Sequence, residues 1–299
     1  MTPASFAIGI DLGATRIKAI AVTAAGELLH SLRVATDDAA DGWKAAVPDV
    51  IATIEAALGK AASIGISSPG LAARDHASIT WMQGRLAATQ GYDWSAALSR
   101  GHAVPVLNDA HAALLGEAWL GAARGENDVV LLTLGTGVGG AILAAGRLLE
   151  GHLGRAGHLG HLSLNPDGPL DIVNTPGSLE DQIGEHTLPA RSNGRFQTTR
   201  QLLDAIDADD EAATQIWRKS IRALAAALAS IINVVDPARV VIGGGVSQAG
   251  DKLFLPLRQE MNRLEWRPSG NTVAIVPALL GEWAGAYGAA KFAMSRCGK

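Results

Sequence analysis

Cysteine is nearly absent. Cys297 is the only one in 299 residues, so no internal disulfide can form, and a reducing cytoplasm is the expected compartment. Aromatic residues reach only 4 %, while glycine (35 residues) and alanine are plentiful; that balance suits close packing of helices on sheets and does not indicate disorder. A positive field is missing too. At a net charge of −4 the chain lacks the basic excess typical of nucleic-acid binding, and a small-molecule partner is expected instead. No apolar run is long enough for a bilayer: Leu224 to Val235 is short and contains Ser230 and Asn233. Phe6 to Ile10 has no basic lead-in and runs straight into Asp11, unlike a signal peptide. Neither a Gly-x-x-x-x-Gly-Lys-Ser/Thr string nor a His-Arg-Asp or Asp-Phe-Gly set is present, which removes P-loop and protein-kinase phosphate sites.

Three glycine-marked turns stand out instead. They are Asp11 to Lys18, Leu134 to Gly140, and Val241 to Gly245, each after a short β-rich apolar run. Glycine at a strand end lets backbone N–H groups converge on an anionic phosphate, because no Cβ intervenes. In the first turn Gly13 allows the bend, Thr15 and Lys18 can bond phosphate oxygens, and Asp11 can hold Mg2+ through water. Thr136 and Gly137 play the phosphate part in the second, where the Gly139-Gly140 pair is hard to justify as strand filler. Gly244 and Gly245 in the third can seat an adenine or ribose against bare backbone. Between the first two turns, another apolar strand delivers Asn108-Asp109. A sugar hydroxyl is too weakly acidic to attack a phosphate unassisted, so Asp109 is the candidate base and Asn108 a candidate hydroxyl ligand.

The order of elements fits two α/β halves. Strands are expected at Phe6 to Asp11, Ile17 to Thr23, Leu28 to Val34 and Ser63 to Ser67, with a helix from Asp41 to Leu58 kinked or restarted at Pro48 and closed by Gly59. Val104 to Leu107 and the helix Ala110 to Ala122 follow. Strands Val129 to Leu134 and Gly140 to Ala144 open the second half. Gly151 to Arg195 reads as a long loop with one short helix, a place for substrate contacts. Asp209 or Asp210 caps a long helix to Val235, then strands at Val240 to Ile242 and Thr272 to Val276 alternate with helices Phe254 to Leu264 and Glu282 to Met294. Trp217 and Ile221 are read as core, His111 as a surface or packed histidine, and Trp81 and Trp94 either as loop anchors or as platforms for a sugar face.

Asp11 to Lys18, Asn108-Asp109-Ala110, Leu134 to Gly140, Gly157 to His161 and Asp236-Pro237 through Gly245 resemble the ROK family of sugar kinases and repressors, over essentially the whole chain. The resemblance implies an α/β, actin-like ATPase fold of two ribonuclease-H-like domains, with ATP, Mg2+ and sugar in a central cleft, and a homodimer. Residues 1–111, completed by a C-terminal helix at 285–299, would form the first domain; 112–284 would form the second, with its substrate loop at 151–195. The phosphate turn begins so early that the helix-turn-helix of the family's repressors has no room before it. The activity implied is ATP-dependent phosphorylation of a hexose at its 6-hydroxyl, glucokinase-like. An N-acetylhexosamine or other hexose kinase is the alternative, and a non-catalytic sugar-binding regulator is disfavoured because Asp109, Thr15, Lys18 and Thr136 are all retained.

Two departures bear on substrate. Family kinases carry Gly-Glu-x-Gly-His, and here the string is Gly157-His158-Leu159-Gly160-His161, so His158 replaces the Glu. The family's cysteine-rich zinc loop corresponds to Asp171 through Glu180, with Asp171, Val173 and Ser178 at the three cysteine positions. No structural zinc is therefore expected, and His152, His158 and His161, on glycine-rich spacing without cysteines, do not make a good replacement. Gly70, Asn108, Asp109, His158, His161 and Glu180 are the expected sugar contacts.

Overall fold

Strand β1 (Phe6–Leu12) is buried along almost its whole length, as a strand covered on both faces must be. In this computed structural model, which describes residues 5–38 and 41–296, β1 is the centre of a sheet in the order β3-β2-β1-β4-β7. Cys297 and the end of the expected helix 285–299 lie outside the described residues. β2 (Arg16–Thr23) and β3 (Leu28–Ala35) continue antiparallel from β1. Helix α1 (Trp43–Leu58) runs unbroken through Pro48 and ends at Gly59, whose φ of 89° is costly for any residue with a Cβ. β4 (Ser63–Ser68) returns parallel to β1. The region expected to be irregular contains a small hairpin of β5 (Leu71–Ala72) and β6 (Ile79–Trp81), then α2 (Trp94–Leu98). Trp94 is no sugar platform. It is 1 % exposed and packs on Trp43 and Tyr92, whereas Trp81 is exposed. β7 (Val106–Asn108) then leads directly into α3 (Asp109–Leu120).

A second sheet repeats the plan. Its order is β10-β9-β8-β11-β12, with β8 (Val129–Leu134) antiparallel to β9 (Val138–Ala144) and parallel to β11 (Arg239–Gly243). β10 (Arg147–Leu148) and β12 (Ala274–Pro277) are its edges. The long loop holds α4 (Leu179–Ile183) and α5 (Leu188–Arg191). An unanticipated helix, α6 (Thr199–Asp207), follows, closed at its start by a capping box between Thr198 and Gln201. α7 (Glu211–Val235) is capped by Asp210, not Asp209, and stops at Asp236, which adopts the left-handed conformation before Pro237. Its Trp217 and Ile221 point into the core. α8 (Asp251–Leu264) contains Pro256, which has no N–H for the Lys252 carbonyl one turn earlier. The Trp217 indole donates to that carbonyl at 2.8 Å, a replacement bond contributing about 1 kcal/mol.

The last helix, α9 (Ala284–Arg296), packs within the first unit against β1, β4 and α3. Small residues set that distance: a Cβ on Gly288 would lie 1.7 Å from the Ala112 carbonyl oxygen, and one on Gly116 2.4 Å from that of Ala284. Buried Glu117 holds the entry to α9, accepting N–H bonds from Leu279 (3.1 Å) and Leu280 (2.8 Å). The chain thus divides differently from the boundary expected at 111/112, which falls inside α3. The first unit runs through Gly125 and includes Leu148–Ala156 and everything from Leu279; the second comprises Glu126–Arg147 and Gly157–Ala278. Packing of α3 on α9 keeps the whole helix in the first unit, and the start of the expected substrate loop, up to Ala156, belongs there too.

Candidate active site

In the first unit, strand register builds the site. Asp11 is the cross-strand partner of both Lys18 on β2 and Ser67 on β4. Its two carboxylate oxygens accept accordingly, one from Lys18 Nζ at 2.8 Å and the other from Ser67 Oγ at 2.9 Å. Lys18 also donates to the Glu282 carbonyl at 3.0 Å, so it is a paired cation here and a phosphate would compete with Asp11 for it. The Gly13 N–H closes the turn on the Arg16 carbonyl at 3.1 Å. Thr15 is exposed, and the Arg85 guanidinium lies over the turn, donating to Thr15 Oγ1 at 3.3 Å and to the Ala14 carbonyl. Arg85 comes from a segment that the sequence pattern left unassigned, and no local motif marks it.

Asn108, not Asp109, caps α3. Its Oδ1 accepts from Ala110 N (3.0 Å) and His111 N (3.2 Å), and its Nδ2 donates to the Gly70 carbonyl at 3.0 Å. At 4 % exposure its first task is to hold Gly70 and the start of α3. Asp109 is thereby projected from the first helical position, exposed to solvent on one side. Loss of surrounding water to the protein, and then the nearby Asp11 carboxylate, push the Asp109 carboxyl above the ordinary carboxylate range, against lowering bonds from the Ala110 N–H and Asn108. His111 is buried, its Nε2 3.0 Å from the Ala156 carbonyl oxygen, and is a packed histidine.

In the second unit Gly137 makes room for a carboxylate. A Cβ there would lie 2.3 Å from Glu180 Oε2, and that oxygen accepts from the Val138 N–H at 2.8 Å. Glu180 stands in the first turn of α4, whose cap is the Ser178 hydroxyl. His161 Nδ1 is 2.8 Å from Asp171 Oδ2. Asp171 Oδ1 accepts from Val173 N (2.9 Å) and Thr175 N (2.8 Å). Burial alone would raise the Asp171 carboxyl, but bonds from Thr175, His161, Ser178 and Val173 hold it below the usual range. His158 is half-buried at the start of the short turn that carries His161.

The two later glycine turns meet at one cavity of about 550 Å3 inside the second unit, walled by Gly135, Thr136, Glu185, Arg200, Asp204, Gly245, Gln248 and Lys252 among others. The carbonyls of Gly135 and Thr136 are held by the N–H groups of Glu185 and His186, each at 3.0 Å. Gly137 and Gly244 are not among its walls; Gly244, at φ 84°, packs on Leu134 instead. Sequence reasoning missed Arg200 and Asp204 together with α6, although the Thr198…Gln201 capping box was a usable signal.

The ROK family sequence model matches residues 7–296. A glucokinase of Thermotoga maritima is 33 % identical over 319 aligned positions, covering 97 % of this chain and 98 % of the relative. The crystal structure of a ROK hexokinase from Thermus thermophilus superposes with a TM-score of 0.84 at 31 % identity, covering 97 % of this chain and 98 % of that one. A ROK family glucokinase from Streptomyces griseus, solved in complex with glucose and AMPPNP, gives 0.79 at 28 % identity over 97 % and 100 % of the two chains.

Proposed function

The chain belongs to the ROK family and has the actin-like ATPase fold, and from that premise we infer that it is a glucokinase-like sugar kinase, transferring the γ-phosphate of ATP to the 6-hydroxyl of a hexose. One observation carries the nucleotide half of this reading: two glycine turns far apart in sequence, at Gly135-Thr136 and at Gly245, line the same cavity. ATP would occupy it. Asp109 supplies the other half, a carboxyl with raised proton affinity at the tip of a strand-to-helix junction. It accepts the proton of the attacking hydroxyl as the bond to phosphorus forms. Gly70, Asn108, His158, His161 and Glu180 are assigned to the sugar, and Asp11, Gly13, Thr15, Lys18, Thr136 and Gly245 to the phosphates and nucleoside or to the turns that shape their sites, while Gly137 makes room for Glu180 and Gly244 packs on Leu134.

Mg2+ fits the residues of the first turn. Asp11 lies close enough to Asp109 to raise it, and a hard oxygen donor beside a second carboxyl is the chemistry this cation takes, through water. When bound, it would neutralise charge on the phosphate oxygens. The reading includes a homodimer in the cytoplasm; among the described residues no helix is long and apolar enough to cross a membrane.

A phosphotransfer assay with ATP or polyphosphate as donor, across glucose, mannose, fructose, allose, N-acetylglucosamine and N-acetylmannosamine, tests the function. Formation of a hexose 6-phosphate from ATP, identified by NMR, is expected. Transfer to none of these sugars from either donor would overturn it.

A further inference from the structure

The family's zinc loop has become a loop organised around one carboxylate. The residues at the three cysteine positions all take part: Asp171 supplies the carboxylate, Val173 gives it a backbone N–H at 2.9 Å, and Ser178 gives it a hydroxyl bond. The Asp171 side chain is fully buried. Among the described residues no group of three or more His, Cys, Asp or Glu is placed to hold a metal ion, so the donor set does not fit zinc.

What the carboxylate does to His161 follows from hydrogen-bond polarity. An ionised carboxylate only accepts, and Asp171 is held in the ionised range by its donors. The His161 Nδ1 at 2.8 Å must therefore carry a proton. In a neutral imidazole that leaves Nε2 as the acceptor. The His161 side chain remains 27 % exposed, so its outer part is open to a ligand while the inner nitrogen is fixed.

We propose that Asp171 is a positioning residue: it locks His161 in the Nδ1–H tautomer, so that Nε2 accepts a hydrogen bond from a sugar hydroxyl. This rests on the kinase reading for its substrate. A hydroxyl donor matches this nitrogen; a group that only accepts does not. Ser178 extends the same control, because its oxygen also receives the Asp181 N–H at 3.3 Å at the start of the helix that carries Glu180. Asp171 thereby sets the orientation of one sugar ligand and braces the helix of another.

Asp171→Asn is the discriminating variant. Its carbonyl oxygen is needed by the Val173 and Thr175 N–H groups, which pins the amide so that its NH2 faces His161. The imidazole must then accept at Nδ1 and donate at Nε2, the opposite polarity. Nitrogen-15 spectra of the histidine-labelled full chain, at about pH 8 where an ordinary imidazole is neutral, should show His161 as Nδ1–H in the wild type and Nε2–H in Asp171→Asn. The sugar KM should rise about tenfold or more, as expected when a polar partner is mismatched, with the KM for ATP unchanged. An Nε2–H tautomer in the wild type, a stoichiometric zinc held by His161, or equal sugar KM values in the two proteins would overturn the proposal. The wild-type spectrum needs neither activity nor a folded variant, so its outcome is distinguishable from a failure of the kinase reading, which the phosphotransfer assay exposes.

Discussion

In the first unit the turn between β1 and β2 is surrounded by side-chain charge: Asp11 is bonded to Lys18 and Ser67, and Arg85 lies over Thr15. In the second, the turn between β8 and β9 has no charged residue of its own. Its negative group, Glu180, arrives from a helix in the following loop and enters the space that Gly137 leaves. The strand order is the same in both sheets. A repeated scaffold therefore fixes where a turn emerges, while the surrounding sequence decides whether charge stands in the turn itself, as at Asp11 and Lys18, or is brought to it by later segments, as by Glu180 and the charged cavity walls. On the proposed reading, Asp109 in the first unit takes the proton and the cavity of the second unit takes the nucleotide.

The strongest way to break this division is Asp109→Asn. The amide keeps the shape and the position at the start of α3 but cannot take a proton. Turnover should fall by about a hundredfold or more, with sugar and ATP binding and thermal stability close to wild type. Near-normal turnover of the folded variant would move the chemistry away from the first unit.

Gly137→Ala should come next. Its Cβ would lie 2.3 Å from Glu180 Oε2, and Glu180 cannot retreat without losing the Val138 N–H. Overpacking of this kind costs about 1–3 kcal/mol. The sugar KM should rise about tenfold, with a smaller change for ATP, because Gly137 is absent from the walls of the cavity. An effect confined to ATP would return Gly137 to the phosphate role that its motif suggests.

That example marks what the sequence could and could not disclose. All strands of the first sheet, all of the second but the two-residue edge β10, α7 and the junction at Asn108-Asp109 are legible because apolar periodicity and turn residues are local signals. The division of roles at the junction is not, since only the folded backbone shows that Asn108 caps the helix and leaves Asp109 projecting. The contacts of Asp11 depend on the register of two strand pairs, which adjacent residues do not encode. Arg85 and Glu117 act through distant partners, so nothing near them in the chain announces a function. The unit boundary differs from the expected one for the same reason: the pairing of α3 with α9 joins segments far apart in sequence.

The acid limb of the rate profile sharpens the electrostatic side of the comparison. A base must be ionised to act, so activity falls as pH drops through the Asp109 pKa. Desolvation and Asp11 both raise that pKa, which places the limb above the ordinary aspartate value of about 4. Asp11→Asn removes the like charge. The limb should move to lower pH, with a change of a few-fold in relative rate on its slope, even as the plateau falls through loss of the phosphate-side carboxylate. Normalised profiles measured with saturating Mg2+ and ATP provide the check, and an unmoved limb would separate Asp109 from the field of Asp11.

The smallest effect is expected where the second unit is most open. Gly245 lines the cavity, yet a Cβ built on it meets nothing within 4 Å, and its φ is not in the left-handed range. Gly245→Ala should therefore leave stability within about 0.5 kcal/mol of wild type, as for substitutions away from packed or strained positions. The methyl would intrude only on a bound nucleotide. An increase of about two- to threefold in the KM for ATP, with the sugar KM unchanged, is the expected result, since 0.5 kcal/mol corresponds to roughly a factor of two. Gly244→Ala is the internal contrast: at φ 84°, with the Leu134 carbonyl oxygen 2.2 Å from the added Cβ, it should destabilise the fold. If the two neighbouring substitutions behaved alike, the cavity wall and the strand-packing position would not be separate features of this turn.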